Sequence, residues 1–430
     1  MDAPPSDSPD VKSAGLVFAD PDAYVDEARW HRAARLLRDR SPVHLVEAEG
    51  YPAFYAITRH AHVAELERRN DAFFNTTESV LLPEIDAARR DSLGVELKTL
   101  IHMDGAEHRA VRAITNDWFK PAQLRRVAER QVEALAKKHV DRLLAFGGRC
   151  DFARDVALFY PLQVIMSILG VPEEDEPRML RLTQQLFGSE DPEFGGESRG
   201  DAMIAALMDF AAYFDKITMD RRANPGPDLA STIANGTIDG EPLGPLETAS
   251  YYTIVATAGH DTTSSSLITG LQKLIENPDQ MELLRSDPDL LPNAVDEIIR
   301  IATPVRHFMR HATVEYELDG VALRPGDRLL LSYLSANRDE AVFEEPFRFD
   351  IMRPNASDQI AFGMGVHFCL GAHLARMELI AFYRELLARV EDIEFDGEPE
   401  YTLATFVGGP KRLPIRYRAK GSIAPRSSGE

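Results

Sequence analysis

The sequence FGMGVHFCLG occupies residues 362–371, and AHLARMELIAFYRELLARV follows directly at residues 372–390. The second stretch is apolar with helical spacing, so Cys369 is predicted to lie where a glycine-rich loop enters a helix. The free N–H groups and the positive dipole end of such a helix favour a thiolate. Glycines in the loop let the backbone approach something large and flat. These glycines are Gly363, Gly365 and Gly371.

A lone cysteine is more often a small buried hydrophobe than a reactive group. Here the spacing F-G-x-G-x-H-x-C-x-G favours a functional thiolate, and one thiolate can be the axial ligand of a haem iron. The other cysteine, Cys150, matches no motif and is interpreted as structural. Two cysteines also exclude a disulfide framework, an all-cysteine zinc site and a cysteine-ligated iron–sulfur cluster.

Composition places the chain among ordinary globular proteins, with 430 residues, 44% of them apolar and 27% charged. A net charge of −21 argues against nucleic acid as a partner. The start of the chain lacks the pattern of a secretory signal, and no window resembles a membrane span, so we expect a cytoplasmic protein without a membrane partner. We expect a single domain over residues 16–420, between disordered tails at residues 1–15 and 421–430.

Helical patterns dominate and the strand patterns are short, so the fold class is mainly α with small β-sheets. One long helix is predicted over residues 246–276, with AGHDTT at residues 258–263 near its middle. Its small residues share a face that suits a helix lying against a flat cofactor. The alternative is a turn that splits this stretch into two shorter helices. The residues of this face are Val255, Ala258, Gly259, Thr262 and Ser266.

The cysteine loop resembles that of the cytochrome P450 family of haem-thiolate monooxygenases. The resemblance implies one mostly helical domain with haem b between the long central helix and the helix after Cys369. It makes Cys369 the iron ligand, places His367 near a haem propionate and sets Phe362 against the thiolate. The AGHDT stretch is similar to the family's central helix, which implies that Thr262 hydrogen-bonds dioxygen and that Asp261 relays protons. His260 fills a variable position, where a helix-face residue satisfied by a neighbour is favoured over a member of the relay.

Other motifs in the chain are similar to further elements of the family. EIIR at residues 297–300 resembles the E-x-x-R element, which implies a structural triad. MDGAEHRAVR at residues 103–112 resembles D-P-x-x-H-x-x-x-R, although Gly105 replaces the proline. The implied triad is Glu297, Arg300 and Arg353, and the implied propionate ligands are His108, Arg112 and Arg310.

The resemblance covers residues 20–418, and several segments are similar to the bacterial terpineol hydroxylase branch of the family. That similarity implies a small hydrophobic substrate, such as a monoterpene or an aromatic hydrocarbon. Residues 79–101 are expected to cover the pocket. Its expected lining is Val255, Val305, Phe308, Phe406 and Val407, and their apolar character fits a hydrocarbon guest.

The chain has no dinucleotide fingerprint and no Walker loop, so we do not expect it to carry a reductase of its own. The resemblance then implies a monomer that uses O2 and takes electrons from a separate 2Fe–2S ferredoxin, itself reduced by an NAD(P)H-dependent ferredoxin reductase. Because such ferredoxins are acidic, a local basic patch is expected. Its candidates are Arg109, Lys120, Arg125 and Arg376.

Two alternative functions remain open from the sequence. One is a peroxide-driven fatty-acid hydroxylase, and the other is a haem-based gas sensor or ligand carrier without turnover. The Asp261-Thr262 pair argues against both, because peroxide-driven relatives lack it and a carrier has no use for proton delivery.

Overall fold

Helices carry most of the fold, and short strands join them in small sheets. The computed structural model describes residues 9–76, 78–92, 98–187, 191–195 and 199–421. The helices are α1 (Pro9–Gly15), α2 (Pro21–Val25), α3 (Glu27–Arg40), α4 (His60–Arg68), α5 (Glu84–Ser92), α6 (Gly105–Asn116), α7 (Pro121–Val127), α8 (Glu129–Ala145), α9 (Phe159–Ile168), α10 (Glu176–Phe187), α11 (Pro192–Gly195), α12 (Arg199–Ala223), α13 (Leu229–Ala234), α14 (Pro245–Ala258), α15 (Asp261–Glu276), α16 (Pro278–Ser286), α17 (Leu291–Ala302), α18 (Tyr333–Ala336) and α19 (Ala372–Arg389). The strands are β1 (Val43–Val46), β2 (Phe54–Ile57), β3 (Phe73–Phe74), β4 (Arg149–Asp151), β5 (Thr237–Ile238), β6 (Glu241–Pro242), β7 (His307–Ala312), β8 (Tyr316–Leu318), β9 (Val321–Leu323), β10 (Arg328–Ser332), β11 (Val390–Phe395), β12 (Glu400–Tyr401), β13 (Pro410–Arg412) and β14 (Pro414–Ala419).

The largest sheet has five strands in the order β1-β2-β10-β7-β3. Strand β10 runs parallel to β2 and antiparallel to β7, with Leu330 opposite Ala56 on one side and Met309 on the other. All three of these side chains are fully buried, so the middle of the sheet belongs to the core. A second sheet has the order β11-β14-β4. The mainly α class with small sheets is therefore confirmed.

Helix α15 packs on α17 and α19 through a residue without a side chain. A β-carbon at Gly270 would lie 2.9 Å from Cγ2 of Ile298 on α17 and would also meet the hydroxyl of Tyr383 on α19. That hydroxyl donates to the carbonyl of Leu267 at 2.6 Å. Gly270 thus permits a close approach of α15 to α17 and α19. This contact holds α19, the helix that follows the cysteine loop, against α15.

The central helical stretch is broken, so the prediction of one helix over residues 246–276 is wrong. Helix α14 ends at Ala258 and α15 begins at Asp261, with Gly259 and His260 between them in a turn. His260 has φ −105° and ψ −73°, outside regular helix geometry. The hydroxyl of Thr262 donates to the carbonyl of Ala258 at 2.9 Å. Gly, Asp and Thr are weak helix formers whose side chains compete for backbone groups, which favours a break here.

The N-terminal prediction is also corrected in part. Residues Pro9–Gly15 form α1, although residues 1–15 were expected to be a disordered tail. Val11 is fully buried and Ala14 nearly so, in a cluster that includes Trp30 and Leu37 of α3. This apolar burial stabilises helix α1. The Pro and Ser residues around it are typical of a disordered tail, so the sequence pattern does not predict this helix. Residues 1–8 and 422–430 lie outside the described residues.

A buried ion triad holds α17 to the segment that precedes the cysteine loop. Glu297 accepts two hydrogen bonds from Arg300, at 2.7 and 2.8 Å, and further bonds from Nε of Arg353 at 3.1 and 3.2 Å. The backbone N–H of Asp350 adds another at 3.0 Å. The structure thus brings together the three residues implied to form a structural triad. A buried carboxylate needs this many donors to offset its lost hydration.

Candidate active site

The cysteine loop is shaped by glycines in the left-handed region. Gly363 has φ 67° and Gly365 has φ 65°. A β-carbon at Gly365 would lie 2.5 Å from the backbone oxygen of Glu67 on α4, so only glycine lets the loop pack there. The N–H of Cys369 then donates to the carbonyl of Phe362 at 2.9 Å, which closes the loop. At Gly371 a β-carbon would meet nothing within 4 Å.

The thiol of Cys369 lies just before the first turn of α19, as the sequence predicts. Burial raises its pKa, while the backbone N–H groups of Gly371 and Ala372 and the guanidinium groups of Arg112 and Arg376 act in the opposite direction. These groups would stabilise a thiolate once a metal replaces its proton. The Arg376 guanidinium also lies 4.6 Å from the centre of the Phe362 ring.

Three donors from two elements meet beside this loop. The rings of His108 on α6 and His367 in the loop lie 4.2 Å apart. Arg112, one turn after His108, donates to the carbonyl of Phe368 at 2.6 Å. Burial, together with the charges of His367 and Arg112, lowers the pKa of His108 to about 4. His108 is therefore neutral at physiological pH and acts as a hydrogen-bond donor or acceptor.

Buried acids, which the sequence analysis did not identify, partner these donors. Asp104 lies 3.4 Å from Nε2 of His367 and accepts the N–H of Asn75 at 2.8 Å. Glu67 accepts from the buried Arg310 at 2.8 Å and from the hydroxyl of Tyr333. Asp104 lies within the segment MDGAEHRAVR that the sequence analysis singles out, whereas Glu67 lies in an ordinary helix without any motif.

On the central stretch, Ala258 is exposed although Val255, Ala256 and Thr257 beside it are buried. A small exposed residue at the end of an otherwise buried helix marks an open space next to it. Gly259 differs from expectation, because a β-carbon there would lie 2.9 Å from Ile165 on α9. Gly259 therefore makes room for α9 and does not face a flat cofactor.

Asp261 and Thr262 begin α15 but point to different surroundings. Thr262 is hydrogen-bonded to Ala258, beside the open space. Asp261 lines a cavity of about 440 Å³ together with Ser264, Ser265 and Ile268, which share the adjacent face of α15. Its Oδ1 lies 3.1 Å from Nδ1 of His260. His260 is thus satisfied by neighbours, and one of those neighbours is the predicted proton-relay acid.

These residues fit a haem. A thiol at a helix start can bind iron, and the exposed Ala258 leaves room for a flat ring beside α14. His108, Arg112, His367 and Arg310 supply donors that suit two carboxylates. The Glu67 oxygen Oε2 beside Arg310 has no hydrogen-bond partner within the described ranges, so it needs a donor that these residues do not supply.

Four of the expected pocket residues lie on two segments that contact each other, one that leads into β7 and one at residues 406–407, whereas Val255 lies on α14. Val305 pairs with Val407 in an isolated antiparallel bridge, and the rings of Phe308 and Phe406 lie 5.4 Å apart. Val407 also lines the cavity that contains Asp261. Within residues 79–101, the carbonyl of Ser79 accepts the N–H of Met309 at 2.9 Å, and residues 93–97 lie outside the described residues.

The expected basic patch is partly neutralised. Lys120 forms an ion pair with Asp117 at 2.5 Å, and Arg376 forms one with Asp296 at 2.8 Å. Arg109 on α6 and Arg125 on α7 are exposed and form no ion pair with any residue that the structure describes. Every helix in the described ranges is too short or too polar to span a bilayer.

Comparison with known proteins agrees with this geometry. The family model for cytochrome P450 matches residues 96–399. Cytochrome P450-terp of a Pseudomonas species is 41% identical over 411 residues, which cover 92% of this chain and 95% of that protein. The steroid C26-monooxygenase of Rhodococcus jostii is 31% identical over 418 residues, covering 96% and 86%.

The crystal structure of CYP108D1 from Novosphingobium aromaticivorans superposes with a TM-score of 0.89 at 39% identity, covering 95% of this chain and 98% of that one. P450 proteins bind haem b, and the similar proteins are monooxygenases and hydroxylases. A chain with a thiol at the start of α19, hydrogen-bond donors beside it and relatives of this kind is a haem b monooxygenase and belongs to the cytochrome P450 family.

Proposed function

We propose that this P450 hydroxylates a small hydrophobic substrate, a monoterpene or an aromatic hydrocarbon, with O2 and two electrons from a separate 2Fe–2S ferredoxin. The observation that carries the proposal is the 41% identity to cytochrome P450-terp over 92% of the chain. A Mycobacterium marinum P450 in complex with pseudoionone also superposes, with a TM-score of 0.86 at 30% identity over 94% of this chain and 97% of that one.

The proposed substrate class agrees with the two apolar loops. Phe308 and Phe406 present aromatic rings, and the Val305–Val407 bridge holds their loops together. Such a wall stabilises a bound hydrocarbon by about 25 cal/mol for each Å² of apolar surface removed from water. It offers a hydrocarbon few side-chain hydrogen bonds, so shape and apolar contact would select the substrate.

In the proposed reaction, the haem with its thiolate ligand supplies the activation of dioxygen. His108, Arg112, His367 and Arg310 would hold the haem carboxylates by charge-assisted or neutral hydrogen bonds. The Thr262 hydroxyl donates to the carbonyl of Ala258, so its oxygen can accept a hydrogen bond from a water in the adjacent space. Asp261 is the acid next to it along the chain and is the proposed source of protons.

The haem assignment is tested with the reduced carbon monoxide adduct. We expect the red-shifted absorption band of thiolate ligation, and we expect Cys369→Ala to lose it while Cys150→Ala keeps it. Cys150 is the matched control, since it lies half-buried on β4 opposite Ile415. A red-shifted band that persists in Cys369→Ala would refute this assignment.

The substrate class is tested by the shift of the haem from low to high spin on titration. Terpenes, alkylbenzenes, larger aromatics and steroids would be compared at equal free concentration, with product analysis for each compound that binds. We expect a saturable shift and hydroxylated product with monoterpenes or alkylbenzenes. A full shift only with steroids would overturn the proposed class.

The electron donor is tested by reduction kinetics. Arg109 and Arg125 are the exposed candidates for contact with an acidic ferredoxin. We expect Arg109→Glu and Arg125→Glu to slow reduction by a 2Fe–2S ferredoxin at low salt, with little effect at high salt. Arg32→Glu, on α3, is the control with the same change of charge. Equal rates in all three variants would contradict docking at α6 and α7.

A further inference from the structure

Glu67 is a buried acid on α4 that lies between β7 and the cysteine loop. Nη2 of Arg310 on β7 donates to its Oε1 at 2.8 Å, and the hydroxyl of Tyr333 donates to the same oxygen. On the other side, a β-carbon at Gly363 would lie 3.8 Å from Oε2, and one at Gly365 would meet the backbone of Glu67. This acid therefore lies against both the cysteine loop and a residue implied to bind a haem propionate.

The same contact fixes the orientation of Arg310. Its guanidinium is buried, with Nη2 donating to Glu67 and Nη1 donating to the carbonyl of Met309 at 2.9 Å. Because a guanidinium is planar and rigid, two fixed N–H groups determine the directions of the others. Burial lowers the pKa of Arg310, but the charge of Glu67 acts against this and the pKa is raised overall, so the group stays positively charged. Glu67 thus holds Arg310 in one orientation for a second carboxylate, that of the haem.

The negative charge of Glu67 is only partly offset when a haem is bound. Arg310 carries one positive charge, which two carboxylates, Glu67 and a haem propionate, would then share. Oε2 of Glu67 has no hydrogen-bond partner among the residues that the structure describes. Asp104 is a further buried carboxylate whose charge acts on Arg310. These groups together leave a net negative charge next to the haem.

A negative charge next to a haem opposes its reduction. When the iron accepts one electron, the haem becomes more negative by one charge, and a neighbouring carboxylate repels that charge. The repulsion is stronger in a buried site than in water, because the effective dielectric constant is lower. Burial, charge and hydrogen bonds around a haem are the means by which a protein sets its reduction potential.

We propose that Glu67 is a positioning residue for Arg310 and that its buried charge lowers the reduction potential of the haem iron. The one electron that reduces the iron comes from the ferredoxin, and no bond forms or breaks at Glu67. A lower potential leaves less of the iron reduced at a given potential of the ferredoxin. This inference rests on the haem assignment and on the proposed function, because it concerns how readily the first electron of that reaction is accepted.

The first test is a redox titration of the haem-loaded protein. Glu67→Gln keeps the length of the side chain and the oxygen that accepts from Arg310 and Tyr333, but it removes the charge. We expect its midpoint potential to be more positive than that of the wild type at low and at high salt, because a buried charge is screened little. Glu65→Gln is the matched control, since it makes the same change of charge at an exposed residue of α4. Equal potentials in the two variants would refute the role of the Glu67 charge.

The second test reports the position of Arg310. The bending vibration of the haem propionates in the resonance Raman spectrum depends on the hydrogen bonds that they accept. Glu67→Asp keeps the charge but shortens the side chain, so Arg310 must move to follow the carboxylate. We expect a shifted propionate band with a smaller change of potential than in Glu67→Gln, whereas Glu65→Asp should alter neither. An unshifted band in Glu67→Asp would overturn the positioning role.

These tests separate the inference from the proposed function. If the wild-type protein lacks the thiolate band, the haem assignment is wrong, and the proposed function with it. The protein can instead show the band and hydroxylate its substrate with high coupling, which is the fraction of electrons recovered in product. Equal potentials in Glu67→Gln and Glu65→Gln would then overturn only the role of Glu67.

Tyr333→Phe keeps the proposal testable if Glu67→Gln fails to fold. It removes a donor to Oε1 and leaves the charge of Glu67 less offset, so we expect a more negative midpoint potential than in the wild type. A potential that is unchanged or more positive would overturn the proposal.

Discussion

Alanine substitutions at three glycines of the cysteine loop should differ in cost in a defined order. Gly371 has φ −85° and open space, so Gly371→Ala should change the free energy of unfolding by no more than about 0.5 kcal/mol. Gly363 has φ 67°, and a β-carbon there would have its nearest neighbour 3.6 Å away, so only the left-handed backbone opposes alanine. That costs about 1–2 kcal/mol.

Gly365→Ala meets both penalties. Its φ is 65°, and the β-carbon would lie 2.5 Å from the oxygen and 3.3 Å from the carbonyl carbon of Glu67. These are backbone atoms of α4, so they cannot rotate away. Overpacking of this kind costs about 1–3 kcal/mol, which brings the expected loss to about 2–5 kcal/mol.

The assay is a urea titration of each haem-loaded variant, followed by far-ultraviolet circular dichroism and by the thiolate band of the carbon monoxide adduct. We expect the midpoints to fall in the order Gly371→Ala, Gly363→Ala, Gly365→Ala. The band should be lost at lower urea than the helices in Gly365→Ala, because the clash lies in the loop that holds Cys369. If Gly365→Ala is no less stable than Gly363→Ala, the contact with Glu67 is not what requires glycine.

Polar side chains with fixed partners lead to three further predictions. Glu297→Gln leaves two guanidinium groups without their carboxylate and should cost about 3–5 kcal/mol in a urea titration, and an unchanged midpoint would contradict the triad. Burial lowers the pKa of His139 to about 4, below its ordinary 6.5, so the unfolded chain binds the proton more readily between these values. Stability should therefore be full above about pH 6.5 and fall toward pH 4, by at most about 3 kcal/mol from this group, and His139→Gln should flatten that slope. Thr262→Ala removes the hydroxyl beside the Ala258 carbonyl and should lower coupling without weakening substrate binding, whereas Thr262→Ser should retain most of it, and unchanged coupling in Thr262→Ala would exclude its role.

Local motifs account for what the sequence could predict. The loop around Cys369 contains glycines in the left-handed backbone region, and a helix begins directly after it. Both features depend on consecutive residues of the chain. The Glu297–Arg300 pair is likewise one helical turn apart. Such features depend on neighbours in the chain, so the residue pattern alone identifies them.

Contacts between distant segments could not be predicted in the same way. His260 takes its partners from Leu158 and Thr183, which lie 102 and 77 residues away in the chain. The charge of Arg376 is neutralised by an ion pair with Asp296, which lies 80 residues away in the chain. The break after Ala258 was available only as an alternative, because weak helix formers permit a turn without requiring one.

The bridge between Val305 and Val407 has a consequence for changing what this enzyme oxidises. The N–H of Arg306 donates to the carbonyl of Phe406 at 2.9 Å, and the N–H of Gly408 donates to that of Pro304 at 3.0 Å. The backbones of both loops therefore shift together, and a new side chain on one loop alters the position of the other. Substitutions at Phe308 and Phe406 should accordingly be non-additive. Mutant libraries that vary both loops at once will reach substrate profiles that successive single changes miss.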